Sequence, residues 1–141
     1  MAVKISQILQ QQIFEQMEGT FPNEGGGFLF GSKNGEDTVI KDVIQIENVF
    51  ETEEQYHRYA MTPQNWANME DAADERGLSL VGYYHSHPDH VAIPSEFDRV
   101  HALPNFVYII TSVLDGKSAN QLAWLLSEDR SEFNKIDLVV E

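Results

Sequence analysis

Cysteine is absent from this chain, and its absence removes several chemistries together. Disulfides, thiolate metal sites, iron–sulfur clusters and cysteine nucleophiles are excluded, so any bound metal must be held by His, Asp or Glu. Basic residues are scarce: 9 Lys and Arg stand against 23 Asp and Glu, a net charge of −14. A field of that sign repels a phosphate backbone, whose binding needs Lys and Arg to neutralise it, so nucleic acid is not expected as a partner. The acidity serves solubility, suits a salty habitat or attracts a basic partner surface, and the sequence leaves these readings open. Long apolar runs are missing too. No segment approaches the ~18 consecutive apolar residues of a membrane span. The stretch "MAVKISQILQQQIFEQ" lacks an apolar core with a small-residue cleavage site. A soluble, cytoplasmic protein without membrane contact is expected.

At 141 residues, 42% of them hydrophobic, the chain has the length and composition of one domain, residues 1–141, with a single core. Ile5, Ile8, Leu9, Ile13 and Phe14 recur at helical spacing and Gly19 follows Met17, which predicts an amphipathic helix capped at Gly19. Residues 26–31 read as a strand beginning just after Glu24. "GSKNGED" reads as a turn, and "TVIKDVIQIENV" as the second arm of a hairpin. "ETEEQYHRYAM" has no clear period and reads as a connecting loop. A second helix follows, with Thr62 as cap, Pro63 at the first position, Trp66, Met69 and Ala73 on one face, and Gly77 as stop.

"LSLVGYY" reads as a buried strand, "PSEFDRVHAL" as a short helix from Ser95, and "NFVYIITSV", "NQLAWLLSE" and "FNKIDLVV" as three further strands. Trp66, Phe106 and Trp124 read as core or groove aromatics. The order is helix, two strands, helix, strand, short helix, three strands. It is not a regular βαβ alternation, so an α/β fold built on a mixed sheet flanked by helices is expected.

The chemistry concentrates in "GYYHSHPDHVAIPSEFDRV". His85 and His87 are two apart, and in a strand that spacing sends both imidazoles to one face. Pro88 ends the strand, since it cannot donate the next ladder bond. Asp98 lies one turn inside the following helix. If that helix start folds back over the strand end, its carboxylate reaches the same ion. Two imidazoles and one carboxylate form a three-ligand set suited to zinc with a fourth position left for water. Ser95 has two readings: its hydroxyl caps the helix, or it steadies the oxyanion formed when water attacks a carbonyl. Two exposed histidines and a helix cap are each ordinary taken alone. The joint pattern HxHx7SxxD arises by chance in about one sequence of this composition in a thousand, so the four residues are read together. His57, His90 and His101 read as solvated, with His101, one turn after Asp98, the main rival ligand. Of 14 glutamates, Glu24 stands out by preceding "GGG", where the backbone can approach another chain or a ligand closely.

Glu24, followed by His85, His87, Ser95 and Asp98, resembles the signature of the JAMM metalloproteases, also called MPN or Mov34 domains: an upstream glutamate, then HxHx7SxxD. "FPNEGGGFLFG", "LSLVGYYHSHPDHVAIPSEFD" and "FVYIITSV" resemble the small bacterial members, so the likeness covers nearly the whole chain. The resemblance implies a cytidine-deaminase-like α/β fold with His85, His87 and Asp98 binding Zn2+. It also implies Glu24 as general acid and base, and Ser95 supporting the tetrahedral intermediate. Family members often carry Cys at the position of Gly26, which is not a ligand.

Nothing here corresponds to the long insertions of ubiquitin-specific eukaryotic members. The small bacterial type implies action on a ubiquitin-like or sulfur-carrier protein ending in Gly-Gly, hydrolysed after its C-terminal glycine. Strand addition at a sheet edge, with segment 51–60 as the place to look, would hold the peptide. The alternative is a non-catalytic scaffold domain of the same fold, though such domains usually lack one or more ligands. Zinc deaminases use a cysteine pair, which this chain does not have.

Overall fold

The computed structural model describes residues 1–47, 52, 55 and 62–141. Among these, the order is β1 (Ala2–Ile5), α1 (Gln7–Thr20), β2 (Gly26–Asn34), β3 (Asp37–Gln45), α2 (Pro63–Glu75), β4 (Ser79–Pro88), α3 (Glu96–His101), β5 (Val107–Leu114), β6 (Lys117–Leu126) and β7 (Phe133–Val140). The loop expected over "ETEEQYHRYAM", His57 within it, and the segment 51–60 proposed for strand addition fall largely outside the described residues.

Local signals set the helices. Ser6 caps α1 by accepting from the Leu9 N–H at 3.1 Å. Thr62 caps α2 by accepting from Asn65 N at 3.2 Å, with Pro63 next to it. The stop of α2 is a Schellman pair. Gly77 at φ +70° donates to the Asp74 carbonyl at 3.0 Å, and Leu78 donates to the Ala73 carbonyl at 2.9 Å. The end of α1 differs from expectation: the helix passes through Gly19 to Thr20, and Phe21 is its cap residue.

The larger correction concerns the sheet. It is mixed, as expected, but it closes into a barrel in the order β1-β3-β2-β4-β5-β6-β7. β1 lies parallel to both β3 and β7, and β4 parallel to β5; the other pairings are antiparallel. The sequence reading gives no strand before α1 and puts Ile5 on the helix. Ile5 instead belongs to β1 and is buried, while Ile8, assigned to the apolar face, is 80% exposed. Four residues are too few to show a period of two, and Ile5 fits the helical spacing by coincidence.

Closure gives the sheet an inside and an outside. Val3, Ile5, Leu29, Ile40, Val43, Tyr84, Ile109, Val113 and Ala123 form one cluster with Ile13 and Met17 of α1. With Ile136 and Leu138 of β7 packed against it, every strand contributes, so this is the inner core. Phe28, Phe30, Leu80, Tyr83, Tyr108 and Leu126 form a second cluster, with Ala73, Trp66 and Met69 of α2 and with Phe106 and Trp124. That cluster is the outer face. A bulge at Leu80–Gly82 against Leu29–Phe30 puts two successive β4 residues on the same side. Past it, strict alternation sends Tyr84 and Ser86 inward and Tyr83, His85 and His87 outward.

Gly27 marks how closely the inner layer packs. A Cβ there would lie 2.3 Å from the Ile44 carbonyl oxygen and 2.5 Å from the Tyr84 ring. Gly27→Ala is therefore expected to lose about 1–3 kcal/mol of stability through overpacking. Urea unfolding would show this as a lower midpoint at unchanged slope.

Candidate metal centre

The site is built where β4 runs out. His85 and His87 occupy its last outward positions and are only 2% and 5% exposed. Beneath them the outer face is aromatic. Tyr83 stacks on Tyr108 with centroids 5.6 Å apart, and burial pushes both hydroxyls well above their ordinary pKa, so both stay neutral. The platform under the histidines thus carries no charge.

Asp98 arrives from α3. Ser95 Oγ accepts from Asp98 N at 3.0 Å, and Ser95 N donates to Asp98 Oδ2 at 2.9 Å, a reciprocal capping box. The helix is only six residues long and is fastened from outside: Arg99 Nη1 donates to the Arg130 carbonyl at 2.7 Å and Arg130 Nη2 to the Val100 carbonyl at 3.0 Å. Arg99 also pairs with Glu96, which holds the Glu96 carboxyl below its usual range.

The three side chains converge. His85 Nε2 lies 3.2 Å from His87 Nε2 and 3.3 Å from Asp98 Oδ1, and His87 Nε2 lies 3.2 Å from Asp98 Oδ2. His87 Nδ1 is 2.9 Å from the Val91 carbonyl. A carbonyl can only accept, so Nδ1 carries the hydrogen, and in a neutral ring the Nε2 lone pair then faces the other two groups. Two imidazole nitrogens and a carboxylate aimed at one point form a group that can hold a metal ion. The spacing fits as well: four ligands at about 2.0–2.1 Å around a tetrahedral ion stand roughly 3.3 Å from one another.

Glu24 reaches the same cleft by strand pairing. Gly26 of β2 pairs with His85, Gly25 N donates to Ser86 Oγ at 3.0 Å, and Ser86 N donates to the Gly25 carbonyl at 3.0 Å. Continued by one residue, this antiparallel register sets Glu24 opposite His87 and on the same face. Glu24 is 9% exposed. With His87, His90, Val91, Ile93 and Ser95 it lines a cleft of about 410 Å³.

The rival ligand His101 is not part of the metal group. It is exposed, stacks on Phe97 at 4.1 Å and has Nδ1 3.0 Å from the Phe97 carbonyl. His90 is exposed at the cleft wall. The sequence reading misses Ser86, whose buried hydroxyl ties the Glu24 strand to β4, and the Val91 carbonyl, which orients His87. The residue inside HxH was one available signal for the first; the second depends on loop conformation.

The family described as prokaryotic homologs of the JAB domain matches residues 6–127. The chain belongs to the prokaryotic JAB-domain family. Among JAB relatives, a desampylase from Haloferax volcanii is 32% identical over 128 residues, covering 90% of this chain and 85% of that one. The solution structure of a protein from Salinibacter ruber shares 38% identity at a TM-score of 0.76, covering 98% of this chain and 91% of that one. A JAB1/MPN domain protein from Archaeoglobus fulgidus aligns at a TM-score of 0.61 over 96% of this chain and 98% of that one; at 21% identity it attests the JAB fold alone. The resemblance read from the motif is therefore correct at the level of family.

For this JAB domain, Asp98→Ala removes one of three converging acceptors and half of the capping box. Divalent-metal affinity, measured by chelator competition, should fall by more than the roughly 10–100-fold typical of losing an outer-shell partner. The metal-free protein should lose about 1 kcal/mol.

Proposed function

We propose that residues 1–141 act as a single JAMM/MPN domain, a cytoplasmic zinc-dependent metallopeptidase or isopeptidase. It hydrolyses the bond after the C-terminal glycine of a ubiquitin-like or sulfur-carrier protein ending in Gly-Gly. The observation that carries the reading is the convergence of His85, His87 and Asp98 on one point, with His87 lining the cleft that the buried Glu24 also lines. The likeness to a desampylase, by its name an enzyme that removes a SAMP modifier, supports the substrate class. No described helix is long and apolar enough to cross a membrane.

In this reading His85, His87 and Asp98 hold the ion. A zinc ion held there would supply Lewis acidity toward the attacking water and the scissile carbonyl. Three is the number of protein groups that catalytic rather than structural zinc sites use. Glu24 takes the proton of the attacking water on its carboxylate, and gives it to the leaving amine as the carbon–nitrogen bond breaks. Ser95 uses Oγ as an acceptor in the cap. A hydroxyl also carries one donor hydrogen, so capping and stabilisation of the oxyanion draw on different parts of the group. Val91 and Ile93, 64% and 53% exposed at the cleft wall, offer apolar contact to the substrate tail.

The test uses a carrier fused through its terminal Gly-Gly to a reporter. Chelation should abolish cleavage and zinc restore it. Glu24→Gln should keep zinc and lose about 10²–10⁴-fold in kcat; Ser95→Ala should lose about 10²–10³-fold. An unchanged rate for Glu24→Gln refutes the mechanism, and a chain that cannot be loaded with zinc supports a scaffold role instead.

A further inference from the structure

The loop between β4 and α3 is held by its carbonyls. Three consecutive ones each accept a bond from a different strand: His90 from Ser112 Oγ of β5, Val91 from His87 Nδ1 of β4 at 2.9 Å, and Ala92 from Trp124 Nε1 of β6 at 3.0 Å. The loop's first residue is tied as well. Asp89 N donates to the Val113 carbonyl at 2.7 Å, and Asp89 Oδ1 accepts from Asp115 N at 2.9 Å. Only the middle carbonyl touches the metal group. The outer two bonds hold the peptide planes on either side of it, which narrows the backbone movements by which Val91 could turn its oxygen from His87.

We infer that Trp124 and Ser112 are positioning residues for the metal group. By clamping the Ala92 and His90 carbonyls they hold the Val91 oxygen against His87 Nδ1, and thereby keep the His87 Nε2 lone pair directed at the ion. The inference rests on the metal reading above. Neither residue belongs to the HxHx7SxxD pattern, and Trp124 stands 26 residues beyond Asp98 in the sequence. Outer partners of a ligating histidine fix its tautomer and ring orientation, and their loss weakens metal binding. Ser112 reaches the loop because it pairs in register with His87 across the β4–β5 ladder. Trp124 reaches it from the outer face, where its ring borders a second groove of about 290 Å³ that shares Ile93 and Ser95 with the catalytic cleft.

Trp124→Phe keeps an aromatic ring at the groove but removes the indole N–H together with the five-membered ring, whereas Ser112→Ala deletes only the hydroxyl and is the cleaner of the two. Zinc affinity is measured by chelator competition on the full chain, alongside the His87 tautomer in the metal-free protein by ¹⁵N NMR of the imidazole. Each variant should bind zinc about tenfold more weakly. In each, metal-free His87 should shift from the Nδ1–H form toward a mixture of tautomers, with KM for the fused carrier unchanged. The double variant should lose less than the product of the two single losses, because both act on one loop.

Zinc affinities within twofold of wild type, with the Nδ1–H form retained, overturn the inference. So does a change confined to KM, which would make Trp124 a floor for substrate and no more. Should Trp124→Phe fail to fold, Ser112→Ala decides by the same criteria. A wild-type chain that binds no zinc overturns the metal reading together with this one. A wild-type chain that binds zinc, with variants that match it, overturns this one alone.

Discussion

One carboxylate, Asp98, serves a helix and a metal group at once. Its Oδ2 accepts the Ser95 N–H at 2.9 Å and stands 3.2 Å from His87 Nε2, while Oδ1 stands 3.3 Å from His85 Nε2. A six-residue helix has almost no stability of its own, since nucleation consumes most of what its few hydrogen bonds return. The capping box therefore fixes the start of α3 and the aim of the carboxylate in the same step. Arg99 and Arg130 complete the fixation by lacing α3 to the turn between β6 and β7. The choice between metal site and helix cap, open in the sequence, dissolves: the cap is the means by which the carboxylate is brought to a group that can hold a metal ion.

The sheet supplies the rest by two simple rules. Alternation along β4 puts His85 and His87 on the outer face with Tyr83, above an uncharged aromatic layer. Antiparallel pairing with β2 puts Glu24 opposite His87. Barrel closure matters because it makes the inner core draw on all seven strands, leaving the outer face of β4 to one helix, one short helix and the loop that carries the cleft. Ser86, pointing inward between the two histidines, bonds Gly25 and joins both rules at one residue.

Local signals were readable and long-range ones were not. Thr62, Pro63 and Gly77 bound α2 correctly because caps and stops act within one turn. The HxHx7SxxD spacing announced the convergence of His85, His87 and Asp98 because a strand period, a proline and a helix cap are all written within fourteen residues. β1 escaped because Ile5 satisfies a helical period as well as a strand's. The barrel escaped because parallel pairing of β1 with β7 joins Ala2 to Asp137, a contact that no window of residues contains. Glu24 was marked in the sequence only by the GGG that follows it, and its role came mainly from family resemblance; its place beside His87 follows from a cross-strand register that only the folded sheet defines. Trp124 read as a core or groove aromatic, and its bond to Ala92 depends on the course of a loop.

The account stands on a three-ligand zinc with one position open to solvent and substrate. X-ray absorption at the zinc edge of protein loaded with one equivalent measures that most directly. The predicted shell has two imidazole nitrogens, one carboxylate oxygen and one exchangeable light ligand, all at about 2.0–2.2 Å. A shell filled by four protein ligands, or a spectrum unchanged when His85 or His87 is replaced by alanine, would contradict it.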